Sequence, residues 1–364
     1  MKRIGLLIEP VDVLFFRGGR PFGAGLIGQS GLPSPQTFLG CLRTALLHAL
    51  DADLEKMRGH QNLEEAFRAA GAAELAKLAV RGPWLAKRSE AGYEPVFRRP
   101  ADLAWEGEEK AAEHAPIRVK PERIHLPGWL PKREGMLPVA GPGRRTRRNR
   151  SDWPQWITLN GLRCWARGGI PAATDFHQTE ELFTSDEERT GIKIHPARRS
   201  SDEGMIYTIR MLRLNNNARF YAEVIAPESI AKAIENLRLV SFGGEGKLAR
   251  LETCELIEWP KGSDNSSRSV IVLLTPGFFR LGWLPKALEQ APLEGALVDH
   301  PVCISGWDIA RNGPKPTRFG VPEGSVYFVG TSGSIPETFA ESSEDGLAGY
   351  GFYLKGRYPN GNEG

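Results

Sequence analysis

Apolar residues recur along this chain with two periods, and those periods predict its elements. Residues 4–16, reading I-G-L-L-I-E-P-V-D-V-L-F-F, are rich in Ile, Leu, Val and Phe and form a strand interrupted at Pro10. Ser34 and Pro35 then offer an N-cap and a proline at the first helical position, where its missing N–H costs nothing. Phe38, Leu42, Ala45, Leu46 and Ala49 make one apolar stripe, so a helix runs to about Leu50. Leu54 to Leu78 is Ala-rich and helical, with a break at Gly71. Met205, Tyr207, Ile209 and Met211 alternate, Asn215 to Asn217 turn, and Phe220 to Ile225 return as a second strand. Ile230, Ala233, Ile234 and Leu237 fall at i, i+3, i+4 and i+7, which places a helix over 228–237, and Leu251 to Ile257 follow as a strand.

The order is strand, helix, large insertion, strand, strand, helix, strand. That is an α+β chain beginning with a ferredoxin-like (RRM-like) βαββαβ unit whose insertion follows its first helix. The expected N-terminal domain is 1–262, with a loop-rich insertion at about 81–190, and the C-terminal domain is 263–364. In the latter, V270-I-V-L-L-T275 and V321-P-E-G-S-V-Y-F328 read as strands of a second, smaller α/β unit. Gly349-Tyr350-Gly351-Phe352 partly matches an RNA-recognition signature, but lacks its leading basic residue and closing aromatic, and reads as a packed aromatic edge.

Ser241 to Arg250, S-F-G-G-E-G-K-L-A-R, is the stretch with the most chemistry. Gly243, Gly244 and Gly246 permit positive φ and close approach of another backbone, beside the cations Lys247 and Arg250. A P-loop is excluded, because here the helix precedes the glycines and Leu248 stands where Ser or Thr is needed. An ordinary structural turn and a seat for a polyanion both remain. The topology favours the second. It brings the first strand–helix connection, the hairpin turn and the last helix–strand connection to one end of the sheet. Arg17, Arg20 and Ser34, the Asn215–Arg219 turn, and Gly243 to Lys247 should therefore converge as a groove for single-stranded nucleic acid. Thr37 and Arg43 on the first helix extend the candidate set, and Phe22 or Phe242 could stack on bases.

Composition sharpens this only locally. With 47 Lys and Arg against 44 Asp and Glu, the net charge of +3 does not by itself indicate nucleic acid. Residues 118–150, however, carry ten basic residues against Glu122 and Glu134, including Arg144, Arg145, Arg147, Arg148 and Arg150. Such a run is either a solvated segment or a phosphate-backbone contact. Cys41, Cys164, Cys254 and Cys303 have no C-x-x-C spacing, so neither a disulfide framework nor a zinc site is expected. No signal peptide or membrane span is visible, and a soluble, cytoplasmic protein rich in loops (41 Gly, 27 Pro) is expected. The seven histidines form no ligand or catalytic spacing. His48 falls at the far end of the first helix, and His195 beside Arg198 and Arg199 could contact RNA as easily as perform chemistry, so no catalytic residue, metal or cofactor is expected.

In order along the chain, P10-V-D-V-L-F-F-R-G-G-R-P-F22, P33-S-P-Q-T-F-L-G-C-L-R43, R189-T-G-I-K-I194, G204-M-I-Y207, F242-G-G-E-G-K-L-A-R250, G306-W-D308 and V321-P-E-G-S-V-Y-F328 span nearly its whole length. As a set they resemble the third Cmr subunit of type III-B CRISPR effector complexes, in the repeat-associated (RAMP) superfamily. The glycine loop alone marks the superfamily, and the ordered set is more specific. One departure is Gly18 and Gly19, where relatives often carry an acidic residue between the two arginines. The resemblance implies two fused ferredoxin-like units and a non-catalytic, crRNA-binding subunit in antiviral defence. Its implied partners are the repeat-derived 5′ tag of the CRISPR RNA, the large polymerase-like subunit and the neighbouring backbone RAMP subunits, with target RNA met indirectly and no membrane. The alternatives are a RAMP endoribonuclease processing precursor RNA, through His48 or His195, and a purely structural scaffold.

Overall fold

The computed structural model describes residues 1–17, 27–60, 62–105, 115–125, 127–140, 153–194, 198, 201–260, 268–308, 313–330 and 335–359. Its contacts divide the chain into two compact units of mixed α+β structure. One comprises Met1–Arg88, Leu182–Leu256 and Cys303–Phe319; the other comprises Ser89–Glu181, Ile257–Val302 and Gly320–Gly364. The division is thus drawn differently from a single boundary near residue 262: segment 89–181 packs with the C-terminal strands, and 303–319 with the N-terminal ones.

In the first unit the strands are β1 (Lys2–Pro10), β2 (Ile27–Gln29), β3 (Ala79–Ser89), β4 (Phe183–Ile194), β5 (Ser201–Leu214), β6 (Ala218–Ala226), β7 (Leu239–Ser241) and β8 (Leu248–Cys254). The α-helices are α1 (Pro35–Ala49), α2 (Leu63–Ala69) and α3 (Glu228–Asn236). The main sheet runs β7-β8-β1-β6-β3, with antiparallel pairing throughout. Alternation sets which face is buried. Ile4, Leu6 and Ile8 of β1 lie opposite Val224, Ala222 and Phe220 of β6, and Ile8 also lies opposite Leu251 of β8. All of these are buried, with Phe38, Leu42 and Leu46 of α1 and Ile230 and Ile234 of α3. α1 touches α3 and β7, and α3 touches β1. Full burial of each such aliphatic or aromatic side chain is worth roughly 1.5–3 kcal/mol, so the stripe spacing accounts for the docking of both helices.

One sequence expectation fails here. Met205–Met211 does not pair with Phe220–Ile225 and is not the second strand of the sheet. It lies in β5, which pairs with β4 and, in parallel, with β2. The strand beside β6 is β3, so the insertion follows the second strand rather than the first helix. The reason is local: Gly82-Pro83 inside β3 reads as a strand breaker, because proline offers no ladder N–H. The structure accommodates the pair at a register shift of β6 between Tyr221 and Glu223, with Gly82 at φ +89°. The helix expected over 54–78 is also broken up. It is a 3₁₀ turn at Leu54–Met57, then α2, then a second 3₁₀ turn at Ala73–Lys77, with Gly71 at φ +78° as the expected break.

The second unit holds a four-stranded antiparallel sheet in the order 293–297, 326–329, 269–273, 353–357. Counted along the chain, that is 2-3-1-4. The main strands of the first unit, β3, β6, β1 and β8, stand in the same order. Between the third and fourth strands lies the helix Ser343–Ala348, capped by Ser342, whereas the first crossover keeps only a 3₁₀ turn at Lys286–Leu288. Strand 269–273 is buried along its whole length, as expected for Val270 to Leu273. A separate helix, Leu159–Ala166, lies on the last strand, where Gly356 leaves room for the Trp165 ring. Trp165 in turn donates to Asp102, which is paired with buried Arg118 at 2.8 Å. Tyr350 is buried against Phe278 at 4.7 Å between ring centroids, so the Gly-Tyr-Gly-Phe segment is a packed edge.

Candidate nucleic-acid interface

The glycine stretch forms the turn between β7 and β8. Phe242 N–H donates to the Lys247 carbonyl at 2.8 Å, and Lys247 N–H to the Gly244 carbonyl at 3.3 Å. Gly243, Glu245 and Gly246 take φ of +91°, +58° and +64°. Their roles differ. A Cβ on Gly243 would stand 2.7 Å from the Phe15 carbonyl oxygen and 3.1 Å from the Phe16 ring, so this glycine is required by the chain's own backbone. One on Gly246 would meet nothing within 4 Å, so there only the positive φ asks for glycine. Gly244 meets neither constraint, since its nearest neighbours lie 3.5 Å away or more. Its N–H donates to the Phe15 carbonyl at 2.8 Å.

A hydrophobic pin draws the other segments to this turn. Phe242 is fully buried, with its ring 5.0 Å from Phe16, 6.0 Å from Phe38 and 6.1 Å from Phe220, all in edge-to-face geometry. Those partners come from the segment after β1, from α1 and from β6. The segment after β1 is held further by Val11 N–H to the Leu248 carbonyl and by the Leu14–Leu212 pair. Phe16 N–H donates to Ser30 Oγ at 2.9 Å and Gly31 N–H to the Phe16 carbonyl at 3.1 Å, while Arg17 bridges to Ser30. Ser34 then caps α1. Its Oγ accepts from Thr37 N–H at 3.4 Å and lies 2.8 Å from Thr37 Oγ1, and no acidic residue occupies the first turn. Arg17, Ser34, Thr37, the start of β6 and Gly243 to Arg250 therefore lie toward one end of the sheet, although the hairpin from which that convergence was expected is not formed. Arg17 and Arg250 are exposed and Lys247 is half-buried.

The flank of this end is an ion-pair network. Asp12 meets Arg189 at 3.0 Å and Arg213 at 2.9 Å, and Glu187 meets Arg189 at 2.9 Å and also Arg213. The Arg189 hydrogen bond holds the Asp12 carboxyl below its ordinary range, and the Arg213 hydrogen bond does the same for Glu187. Arg219, in the expected turn, is taken up by Glu9 at 2.9 Å and Glu252 at 3.4 Å.

A family model described as CRISPR-associated protein (Cas_Cmr3) matches residues 6–358. The chain belongs to that family. This makes it a type III CRISPR effector subunit. Two solved chains resemble it in fold, both from type III-B Cmr-beta. One comes from Cmr-beta bound to cognate target RNA and AMPPnP, at 17% identity and a TM-score of 0.52; the other comes from Cmr-beta bound to cognate target RNA, at 18% and 0.50. Each comparison covers 90% of this chain and 86% of the other. No curated protein matches the sequence.

For this Cmr3-family chain, the candidate residues sort as follows. Arg20, Phe22, Arg144, Arg145, Arg147 and Arg148 lie outside the described residues, as does His195. Phe242 is not a stacking platform, because it has no exposed ring face and serves as the pin described above. Arg43 does not join the site. It lies about 13 Å along α1 from Ser34, where its Nε donates to the Leu75 carbonyl at 3.2 Å and its guanidinium covers the Phe67 ring. His48, in the last turn of α1, is about 21 Å from Ser34 by the same rise. Phe15, Phe16 and Ser30, which shape the site, had no signal beyond their apolar or small character. All four cysteines are free thiols, with burial pushing Cys41 and Cys254 up to about 12, and no cluster of metal-ligating side chains occurs among the described residues. Among those residues, no helix is long and apolar enough to cross a membrane.

Proposed function

We propose that this chain is a non-catalytic, RNA-binding subunit of a cytoplasmic type III-B ribonucleoprotein in antiviral defence, holding the repeat-derived 5′ tag of the CRISPR RNA. In this role it also docks the large polymerase-like subunit and the neighbouring backbone subunits. The observation that carries the proposal is the gathering, at one sheet end, of a helix N-terminus without acidic residues, the glycine turn, and Arg17, Lys247 and Arg250. Cations on such a surface would neutralise phosphates, and backbone contacts position a strand without reading its sequence. Both units would then be variants of one ferredoxin-like βαββαβ plan, which their common strand order supports. The endoribonuclease alternative through His48 is disfavoured by the distance of that residue from this sheet end.

The decisive experiment is to purify the tagged protein from its native host and sequence the RNA that accompanies it. RNAs sharing one repeat-derived 5′ end of about eight nucleotides, with a large co-eluting partner, are expected. Absent or random RNA would leave a scaffold role instead. That second reading has one observation in its favour: Gly243 and the Gly244 amide are already committed to Phe15.

A further inference from the structure

With Phe242 buried and Phe22 outside the described residues, neither aromatic that the sequence offered is placed to stack on a base. Segment 303–319, which packs with the first unit, supplies one. Trp307–Asp308 pairs antiparallel with Gly313–Pro314, and Lys315 N–H donates to the Gly306 carbonyl at 2.7 Å, forming a ribbon. Its root is fixed to the first turn of α1, where Gln36 Nε2 donates to the Ser305 carbonyl at 2.9 Å. A Cβ on the next residue, Gly306, would stand 2.9 Å from Gln36 Nε2, so the ribbon approaches the end of that side chain closely there. Tryptophan is highly buried on average. Trp307 is nevertheless 61% exposed, more than any other tryptophan among the described residues, and Phe319, in the strand paired with 302–304 at the ribbon's base, is 69% exposed. Residues 302–320 carry Arg311, Lys315 and Arg318 against a single Asp308.

We propose that Trp307 is the base-stacking residue of this subunit, receiving a nucleobase of the single-stranded RNA whose phosphates lie along the adjacent end of the sheet. This inference rests on the RNA-binding reading above. An exposed indole face beside a local excess of positive charge is the combination that single-strand binders use. The ring takes a base, and the cations take the backbone. A protein partner is the competing occupant, but residues 302–320 carry a net charge of +2 (three basic, one acidic) where the whole chain carries +3, and that balance favours a phosphate backbone.

The test uses the full-length chain and fluorescein-labelled ten-nucleotide RNAs, each with one 2-aminopurine at a successive position. Wild-type protein is expected to quench the 2-aminopurine at one position. Trp307→Ala should abolish that quenching and weaken binding about five- to a hundredfold, with the salt slope unchanged and Trp307→Phe retaining most of the affinity. If Trp307→Ala binds as wild type while Lys247→Glu still weakens binding, the stacking assignment is wrong and the RNA reading survives. Loss of co-purifying protein from that same variant would then identify a protein contact. If the wild type itself does not bind, or neither variant has an effect, the RNA reading fails and takes this inference with it.

Discussion

Three glycines in one turn answer to different forces, and substitution separates them. Gly243→Ala must push its Cβ against the Phe15 carbonyl at φ +91°, which should cost about 2–3 kcal/mol in denaturant unfolding. Gly246→Ala faces open space at φ +64° and should cost about 1 kcal/mol. Gly244→Ala meets neither obstacle and should leave stability unchanged. If the turn lies against RNA, Gly244→Ala will instead show its effect in RNA affinity. A variant both fully stable and fully competent for RNA would mean that nothing approaches Gly244. Phe242 is a residue of the opposite kind. Truncating it to Ala removes the ring on which Phe16, Phe38 and Phe220 converge, and should cost about 3–5 kcal/mol, with loss of RNA binding following from loss of the site.

Among elements, the junction of the segment after β1 with β4 and β5 shows how charge tunes the site. Asp12 and Glu187 have folded-state pKa values below their ordinary ones, so the stability they contribute is present above the unfolded values and is lost as pH falls through the folded ones. That window lies below about pH 4.5, and the network should be indifferent to pH between 6 and 8. Asp12→Asn leaves Arg189 and Arg213 with Glu187 alone, and should tighten RNA binding severalfold at low salt but not at high salt, as fluorescence anisotropy would show. An unchanged affinity would place this face away from the RNA. The same elements mark what could be read in advance. α1, α3 and the glycine turn were legible, because a helical stripe and a glycine cluster are local patterns. β3 was not, because Gly82-Pro83 imitates a break and the bulge that accommodates it belongs to the pairing of β3 with β6. The alternation in β5 was real, but alternation names a strand and not its neighbour. The burial of Phe242 and the exposure of Trp307 were equally beyond reach, since an aromatic residue reads alike in a core and on a ribbon.

For the whole molecule, a net charge of +3 spread over 364 residues cannot attract RNA from a distance, so any binding must come from local cations. Their number is measurable. Each phosphate neutralised on a single strand contributes about −0.7 to the slope of log affinity against log salt. Arg17, Lys247 and Arg250 at the sheet end would give a slope of about −2, and Lys247→Glu should flatten it to about −1.4. The run Arg144, Arg145, Arg147, Arg148 and Arg150 holds five more cations, and if it also engages the strand the slope steepens to between about −5 and −6. The expected value is the shallow one, because the fold gathers three cations from distant parts of the sequence at one sheet end, which a single arginine tract would not require. A steep slope that returns to about −2 when the five arginines are replaced by glutamine would make the run a second phosphate-binding element. A slope near zero, with affinity intact, would mean that the sheet end does not hold a phosphate backbone at all.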